Sequence, residues 1–406
     1  MILNKEEQEM CEGKYGPGLE KSIKLLIQFG EAFDAERMIP VKSCHILNSE
    51  PYDWVLDVTK GMNSVRVPTT THPLVPPIQW ERLKVPEALV KDELIQNKER
   101  YELYRSLGIN LTSTCVSCFV GEFLKLGDVF CWSGTEGSLF ANTVFGARGN
   151  REAGPISFLS ALTGRTPEIF LHKKENRYGQ VLVNMDKNIR WSEFTTAKYG
   201  ALGYHIGGIT KDKNVVINHM PDTDFDCLKH LTSALPVSGS TGMCHIVGVT
   251  PEAPTLEEAF GHKTPKETIS VSEKNIQETW EELTTAKKNQ VDLVLIGCPH
   301  CSMAEFRQIA SLLNGKKVHD NVSLWIGASQ QVSIQAKRMQ YADIIEKAGG
   351  VLTDTCLTFA YLMGDKTVAT NSARTDFFTA KKGGQGMLYG TLEECINAAI
   401  TGKWRS

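Results

Sequence analysis

Cys298 and Cys301 form a CxxC pair that directly follows the apolar run 291–297 and precedes a helix-like stretch. A thiol at such a junction lies near a helix N-terminus, which lowers its pKa and suits disulfide exchange. A thioredoxin-like unit would be a compact domain of its own, whereas further strand-like runs follow here. This continuation argues against a redox dithiol.

A second CxxC pair, Cys115 and Cys118, opens the possibility of a four-cysteine zinc site. The two pairs lie far apart in the chain, whereas zinc sites of this kind keep their pairs within a few tens of residues. In the plainer interpretation, Cys118 and Cys301 fill core space. A third possibility is an iron–sulfur cluster held by Cys115, Cys298 and Cys356, with one iron left open as a Lewis acid.

Strands and helices must position these thiols. The last third of the chain alternates short apolar runs with helical patterns, which predicts right-handed βαβ crossovers and a largely parallel sheet. Functional groups of such sheets collect at the carboxyl ends of the strands. Since each of the three cysteines follows a strand-like run, we expect them to converge. The predicted strands are 291–297, 322–328, 349–355 and 366–371, with helices at 302–313 and 330–348.

The rest of the chain is less regular. "LEKSIKLLIQFGEAF" and "VKDELIQNKERYELYRSLG" predict helices, and the strand-like "VRVPTTTHPLVPP" ends in a loop through Pro73, Pro76 and Pro77. The stretch 180–235 has no clear period and is assigned no strands. The predicted parts are an N-terminal α/β part at 1–110, a central α/β domain with Cys115 at 111–285 and a C-terminal βαβ domain at 286–406.

Composition limits the class of protein. With 406 residues, 41% hydrophobic and 22% charged, the chain is expected to be a soluble protein of two or three domains. A net charge of −3 without a basic run disfavours nucleic acid and membranes as partners. The acidic start does not resemble a secretory signal, and an odd count of eleven cysteines argues against a disulfide framework. These features predict a cytoplasmic protein.

Several motifs taken together resemble the aconitase X family. They are "NTVFGARGNREAGP", "LTGRTPE", "GVTPEAPTLEEAF", "CPHCSMAEF", "TDTC" and "TNSAR". The resemblance runs from about residue 39 to 374, and it implies an aconitase-like fold of several α/β domains around a central iron–sulfur site. It also implies a hydro-lyase that dehydrates a hydroxy acid.

The resemblance carries roles onto individual residues. It makes Cys115, Cys298 and Cys356 the ligands of an iron–sulfur cluster, whose type, [4Fe–4S], [3Fe–4S] or [2Fe–2S], stays open. Arginines in the matching segments would clamp a carboxylate or phosphate, although a solvated loop charge is the alternative. The residues expected to bind substrate are Ser43, His45, Thr69, Thr70, Asn142, Arg148, Asn150, Arg151, Glu152, Asn371 and Ser372.

The chain departs from the family pattern at a few positions. His72 stands where the family has asparagine, residues 134–136 replace a glutamate-serine-serine run, and Arg374 replaces a lysine. Arginine and lysine share a charge but differ in geometry and in pKa behaviour. These departures concern the substrate more than the type of reaction.

The base expected for dehydration is missing. In the family, the serine that removes the proton lies in a swivelling domain, in a glycine-arginine-glycine-serine-like loop that this chain lacks. We therefore expect a separate small subunit that carries this domain. The expected substrate is cis-3-hydroxy-L-proline, converted to an imino acid (pyrroline-2-carboxylate), with phosphomevalonate as the alternative. A subunit that binds a ligand without turnover is the non-enzymatic alternative.

Overall fold

The computed structural model describes residues 1–75 and 79–404, which form sheets covered by helices. Pro76 and Pro77 of the predicted loop lie outside the described residues. The strands are β1 (Met38–Pro40), β2 (Ser43–Ile46), β3 (Thr69–Thr71), β4 (Phe130–Trp132), β5 (Arg165–Pro167), β6 (Val181–Met185), β7 (Val215–Asn218), β8 (Cys244–Ile246), β9 (Thr268–Val271), β10 (Leu293–Ile296), β11 (Ser323–Gly327), β12 (Gly350–Thr353), β13 (Thr367–Thr370) and β14 (Gly386–Tyr389).

The α-helices lie between these strands and on the faces of the sheets. They are α1 (Lys5–Cys11), α2 (Pro17–Ala32), α3 (Tyr52–Val58), α4 (Lys91–Ser106), α5 (Thr135–Phe140), α6 (Gly154–Thr163), α7 (Thr196–Thr210), α8 (Phe225–Ser238), α9 (Leu256–Ala259), α10 (Glu273–Glu282), α11 (Met303–Leu313), α12 (Gln330–Arg338), α13 (Tyr341–Ala348), α14 (Ala373–Gly383) and α15 (Leu392–Thr401). Among the helices of the described residues, none is both long enough and apolar enough to cross a membrane.

Three of the sheets are parallel throughout. Their strand orders are β3-β2-β4, β8-β7-β6-β9 and β12-β11-β10-β13-β14, and β1 pairs antiparallel with β5. The first of these sheets takes strands from both sides of the predicted boundary at residue 110. That boundary and the one at residue 285 stay predictions.

Burial on both faces of the C-terminal sheet explains why its strands could be recognised in the sequence. All four residues of β10 are buried, and they alternate between two apolar cores: Val294 and Ile296 face one, Leu293 and Leu295 the other. A strand buried on both faces reads as a continuous apolar run, which is typical of parallel sheets. The prediction of a largely parallel sheet is confirmed.

Other predictions in this region need correction. The predicted helix 330–348 is two helices, α12 and α13, because Gln340 between them adopts a left-handed conformation with φ 64°. The strand β14 was not predicted. The stretch 180–235, which was assigned no strands, contains β6 and β7 with α7 and α8. The strand-like run 109–115, which ends at Cys115, forms a single bridge among the described residues, between Asn110 and Thr70.

Candidate active site

Three thiols from separate segments lie close together near the C-terminal sheet. Cys298 follows β10, Cys356 follows β12, and the Sγ of Cys115 accepts a hydrogen bond from the backbone N–H of His300 at 3.2 Å. Burial raises the pKa of the Cys115 thiol, and the neighbouring thiols of Cys298 and Cys356 raise it further. The three predicted ligands are therefore close enough for the charge of one thiol to shift the pKa of another.

The turn after β10 requires glycine. Gly297 has φ 103°, and a Cβ atom there would lie 2.2 Å from the carbonyl oxygen of Gly327 on the neighbouring strand. Beyond the turn, the backbone N–H of Cys301 donates to that same oxygen at 2.8 Å. Ser302 then begins α11, since its side chain accepts the N–H of Glu305 at 3.2 Å. Cys301 itself packs in an apolar core.

A buried lysine supports the same loop from the middle of the chain. Lys229 on α8 donates from Nζ to the carbonyl of His300 at 3.2 Å and pairs with Asp226 and Glu305. Burial would lower the pKa of Lys229, but the two carboxylates hold it above its ordinary value. This residue was not predicted, because α8 lies in the stretch that showed no clear period.

Arg374, on the first turn of α14, joins the thiols to a buried carboxylate. Its Nη2 lies 2.9 Å from Oε2 of Glu136 on α5, and its Nη1 donates to Oγ1 of Thr135 at 2.8 Å. On the other side, Nε2 of His72 lies 3.1 Å from Oε1 of Glu136. His72, Thr135, Glu136 and Arg374 are the departures noted in the sequence, and they form one connected group.

Charges within this group are balanced. Burial would raise the pKa of the Glu136 carboxyl, but Arg374 and His72 hold it well below its usual range. Burial would likewise lower the pKa of Arg374, whereas Glu136 and the thiols, Cys298 first, hold it above its ordinary value. The guanidinium is therefore a fixed cation beside the three thiols.

The donor set fits an iron–sulfur cluster. Cluster ligands are thiolates, so each buried sulfur needs hydrogen-bond donors or a cation to favour its charged form. Cys115 receives the His300 N–H, and Cys356 Sγ lies 3.0 Å from Oγ1 of Thr358. Burial raises the pKa of Cys298, and the charge of Arg374 partly offsets this effect.

Predicted residues on β2 and β3 form a polar cluster beside this group. His45 Nδ1 lies 2.8 Å from Oγ1 of Thr70 and 2.8 Å from Oγ of Ser117. Burial lowers the pKa of His45 to about 3, so the imidazole is neutral. Ser43 donates to Glu122 at 2.8 Å. The hydroxyl of a further predicted residue, Thr69, donates to the carbonyl of Val67 at 2.8 Å.

A cleft of about 650 Å³ leads to Cys356 and His72. Four polar side chains along it, none of them predicted, have buried atoms without a hydrogen-bond partner among the described residues: Asn48, Glu50, Asn97 and Arg100. Such atoms call for a partner outside the protein chain. A larger cavity, of about 830 Å³, lies elsewhere and contains none of the predicted site residues.

Asn371 and Ser372 follow β13, as predicted, and have different surroundings. The Ser372 hydroxyl accepts the N–H of Thr375 at 3.1 Å at the start of α14, and it donates to the carbonyl of Cys298. Oδ1 of Asn371 is buried and has no partner in the described part of the chain. Ser372 thus stabilises the loop that carries Cys298, whereas Oδ1 of Asn371 can still accept a hydrogen bond.

The predicted residues of the segment 142–152 lie in different surroundings. Asn142 is engaged by the backbone, because its Nδ2 donates to the carbonyls of Gly149 and Gly242 at 2.8 and 2.9 Å. Arg151 is exposed as a whole residue, but its Nη1 donates to the carbonyl of Ser240 at 2.6 Å, and partial burial together with the charge of Arg374 lowers its pKa. Arg148 lines a separate cavity of about 350 Å³. Within this segment, Arg151 is therefore the residue that lies near Arg374.

Asn150 and Glu152 belong to a second cluster. Asn150 Nδ2 donates to Oε1 of Glu152 at 3.0 Å. The side chains of Cys131, Glu152 and His172 offer ligand atoms that all lie within 4.8 Å of one another. Burial raises the pKa of Glu152 to about 7 and lowers that of His172 to about 4. This cluster includes none of the three predicted cluster ligands.

The chain matches three models of aconitase X domains: the first domain over residues 1–175, the second over 179–281 and the third over 291–401. It is 32% identical to the phosphomevalonate dehydratase large subunit of Methanocaldococcus jannaschii, over 98% of this chain and 99% of that protein. It is also 30% identical to the cis-3-hydroxy-L-proline dehydratase of Pseudomonas aeruginosa, over 99% of this chain and 70% of that protein.

A solved structure agrees with these matches. The holo-form of aconitase X from Thermococcus kodakaraensis superposes with a TM-score of 0.85 at 30% identity, covering 98% of this chain and 100% of that one. The aconitase-like fold implied by the motifs is thereby confirmed. The domain models, the relatives and the superposed structure agree: the chain belongs to the aconitase X family.

Proposed function

We propose that the chain is the large subunit of an iron–sulfur hydro-lyase that removes water from a small hydroxy acid. The observation that carries the proposal is the convergence of Cys115, Cys298 and Cys356 around Arg374 at the end of a cleft. The relatives in Methanocaldococcus jannaschii and Pseudomonas aeruginosa are both named dehydratases. Buried thiols in a family of this kind favour an iron–sulfur cofactor of unassigned type.

The three cysteines would hold the cluster, which when bound supplies a Lewis acid for the departing hydroxyl. Arg374 is paired with Glu136, so we assign the substrate carboxylate to Arg151, an exposed residue whose guanidinium also donates from Nη1 to the carbonyl of Ser240. His72 lines the cleft with Nε2 directed at Glu136, which leaves Nδ1 to move a proton there. The neutral His45 and the free Oδ1 of Asn371 can orient the substrate.

The first candidate substrate is cis-3-hydroxy-L-proline, because a buried carboxyl, that of Glu50, lines the cleft and would accept the ring amine. The second is phosphomevalonate, which is favoured by the cations of Arg100 and Lys382 in the same cleft and by the match to the large subunit in Methanocaldococcus jannaschii. Direct assay of both substrates separates them.

A small subunit is part of the proposal. The relative in Methanocaldococcus jannaschii is named a large subunit and matches this chain over its full length, whereas the chain spans 70% of the relative in Pseudomonas aeruginosa. We infer that a partner carries the swivelling domain and the base serine. A cytoplasmic location suits the cysteines of the described chain, all of which are unpaired.

The test is anaerobic co-purification of the chain with its small subunit. We expect iron with acid-labile sulfide, turnover of one of the two substrates, and an electron paramagnetic resonance signal that defines the cluster type. Cys298→Ala is expected to abolish iron binding and turnover, while the matched variant Cys301→Ala in the same loop keeps both.

Unchanged turnover in Cys298→Ala would contradict the role of the cluster. Saturable binding of either substrate without turnover, in a complex that contains iron and sulfide, would instead favour a ligand-binding subunit without catalytic activity.

A further inference from the structure

A second group of potential metal ligands lies apart from the three thiols. The ligand atoms of Cys131, Glu152 and His172 lie within 4.8 Å of one another, and Nε2 of His172 is 3.9 Å from Oε1 of Glu152. We propose that these three side chains bind one zinc-type divalent ion, at a site that is independent of the proposed cluster.

The surroundings of His172 fit a metal ligand. Its Nδ1 lies 3.1 Å from the carbonyl oxygen of Pro167 and 3.3 Å from Nδ2 of Asn150, and in the tautomer that donates to Pro167 the lone pair of Nε2 is free. Nε2 is buried and makes no hydrogen bond of good geometry among the described residues, and the backbone of Phe130 is a second polar neighbour of the ring. A ligating histidine typically donates its other N–H to a carbonyl or carboxylate in this way.

Glu152 is oriented in the same manner. Asn150 donates to its Oε1 at 3.0 Å, as is common for ligating carboxylates. Within residues 1–75 and 79–404, no lysine or arginine lies at salt-bridge distance from this carboxylate, whose side chain is 5% exposed. A buried carboxylate without a cation is unfavourable, and a divalent ion would supply the missing charge.

A direct hydrogen bond between His172 and Glu152 does not explain why these side chains lie together. The 3.9 Å between Nε2 of His172 and Oε1 of Glu152 exceeds hydrogen-bond range. Two ligands of one tetrahedral ion, each about 2 Å from the metal, lie between about 3 and 4 Å apart. The separation therefore suits a shared ion better than a contact between the two side chains.

The donor types favour zinc over the hard cations. A thiolate, an imidazole and a carboxylate form a mixed sulfur, nitrogen and oxygen set, whereas magnesium and calcium prefer oxygen alone. Three ligands leave a fourth tetrahedral position for water. Cys131 pairs with Cys44 across β4 and β2, and side chains alternate along a strand, so the site lies on the opposite face of this sheet from His45.

The test uses the two-subunit protein with its cluster assembled. The complex is equilibrated with zinc, freed of excess metal by gel filtration and analysed for zinc, iron and sulfide. We expect about one zinc per large subunit in addition to the cluster iron, and binding at least about tenfold weaker in Cys131→Ala and in His172→Ala. Cys244→Ala is the matched control, since Cys244 is an equally buried strand cysteine in another sheet, and it is expected to bind zinc normally.

Zinc X-ray absorption on the unmodified complex keeps the test valid even if a variant fails to fold. One sulfur together with nitrogen and oxygen neighbours would support the site at Cys131. Several sulfur neighbours would place the zinc at the cluster thiols and overturn the proposal. So would absence of bound zinc, or equal zinc affinity in the unmodified complex and both ligand variants.

Discussion

Glu136 and Glu152 are two buried glutamates in similar settings with opposite behaviour. Their side chains are 3% and 5% exposed, and each lies beside a histidine and near cysteine thiols. Burial raises the pKa of Glu152 to about 7. Burial has the same effect on Glu136, but Arg374 and His72 outweigh it and hold the pKa of Glu136 well below its usual range.

The difference lies in the cation and not in the burial. Near the three thiols, the fold supplies its own positive charge in Arg374, so the carboxylate stays ionised. Beside Cys131 the described residues supply none, so the Glu152 carboxyl keeps its proton up to about pH 7 unless an ion binds. One glutamate therefore completes an ion pair of the chain itself, and the other is available as a ligand. The same substitution at the two positions should have opposite effects.

The largest effect is expected from Glu136→Gln. The substitution leaves the buried guanidinium of Arg374 without its partner, which should lower the free energy of unfolding by about 3–5 kcal/mol at pH 7. The pKa of Glu136 is lowered in the folded state, so this contribution is present above about pH 4.5 and is lost as the pH falls further. Urea denaturation across this pH range measures it.

The control is the double variant Glu136→Gln with Arg374→Met, which removes the uncompensated charge and should recover most of the loss. A loss below about 1 kcal/mol in the single variant would show that solvent already screens the pair.

Glu152→Gln should have the opposite sign in metal-free protein. The pKa of Glu152 is raised from 4.5 to about 7, so the folded state holds its proton where the unfolded state has lost it. Stability of the wild type therefore falls as the pH rises from 4.5 to 7 and then levels off. The variant should gain nothing at pH 4 and up to about 3 kcal/mol at pH 8.

Thermal unfolding in the presence of a chelator measures this gain, and saturating zinc should reverse it, because the variant loses a ligand. A variant that is less stable than the wild type at pH 8 without metal would break the comparison.

Arg374→Lys should have a smaller effect. The lysine keeps the charge beside Glu136 but cannot also donate in a fork to Thr135, so we expect a loss of about 1–2 kcal/mol. Chemical denaturation of the two-subunit protein gives the value. A loss as large as that of Glu136→Gln would mean that geometry matters here as much as charge.

His72→Asn should have the smallest effect on stability. The His72 side chain is 13% exposed and contributes one hydrogen bond to Glu136, while Arg374 keeps the carboxylate ionised. We expect a loss of about 1 kcal/mol or less in thermal unfolding at pH 7. A larger loss would show that Glu136 depends on both partners, which would sharpen the contrast with Glu152.

The sequence was sufficient for the parts of the fold that follow simple periods. The strands β10 to β13 are continuous apolar runs separated by helical patterns, so the parallel sheet and the cysteines at its strand ends could be predicted. The strand β14 was missed, and the kink at Gln340 has no signal in residue type. In the stretch 180–235, the strands β6 and β7 are short and almost fully buried, and α7 is buried over most of its surface, so neither type of element shows a clear period.

The site was only partly predictable, for a physical reason. Cysteine and family motifs pointed to the three thiols, but the pairing of Glu136 with Arg374 joins positions that are remote in the chain. The same holds for Cys131, Glu152 and His172, which meet only after β4 and the segment that follows it pack together. Contacts of this kind depend on the fold, and residue types alone do not reveal them.

The segments that carry the three thiols are synthesised far apart in time. Cys115 lies next to the first parallel sheet, and Cys356 follows β12 of the last one, with the whole of β6 to β9 synthesised between them. During translation, Cys115 is made long before Cys298 and Cys356, so the proposed cluster would be inserted only late in synthesis. Under the proposed function, retained iron would therefore mark a chain in which these distant segments have already met, and it would distinguish completely folded molecules from incomplete ones.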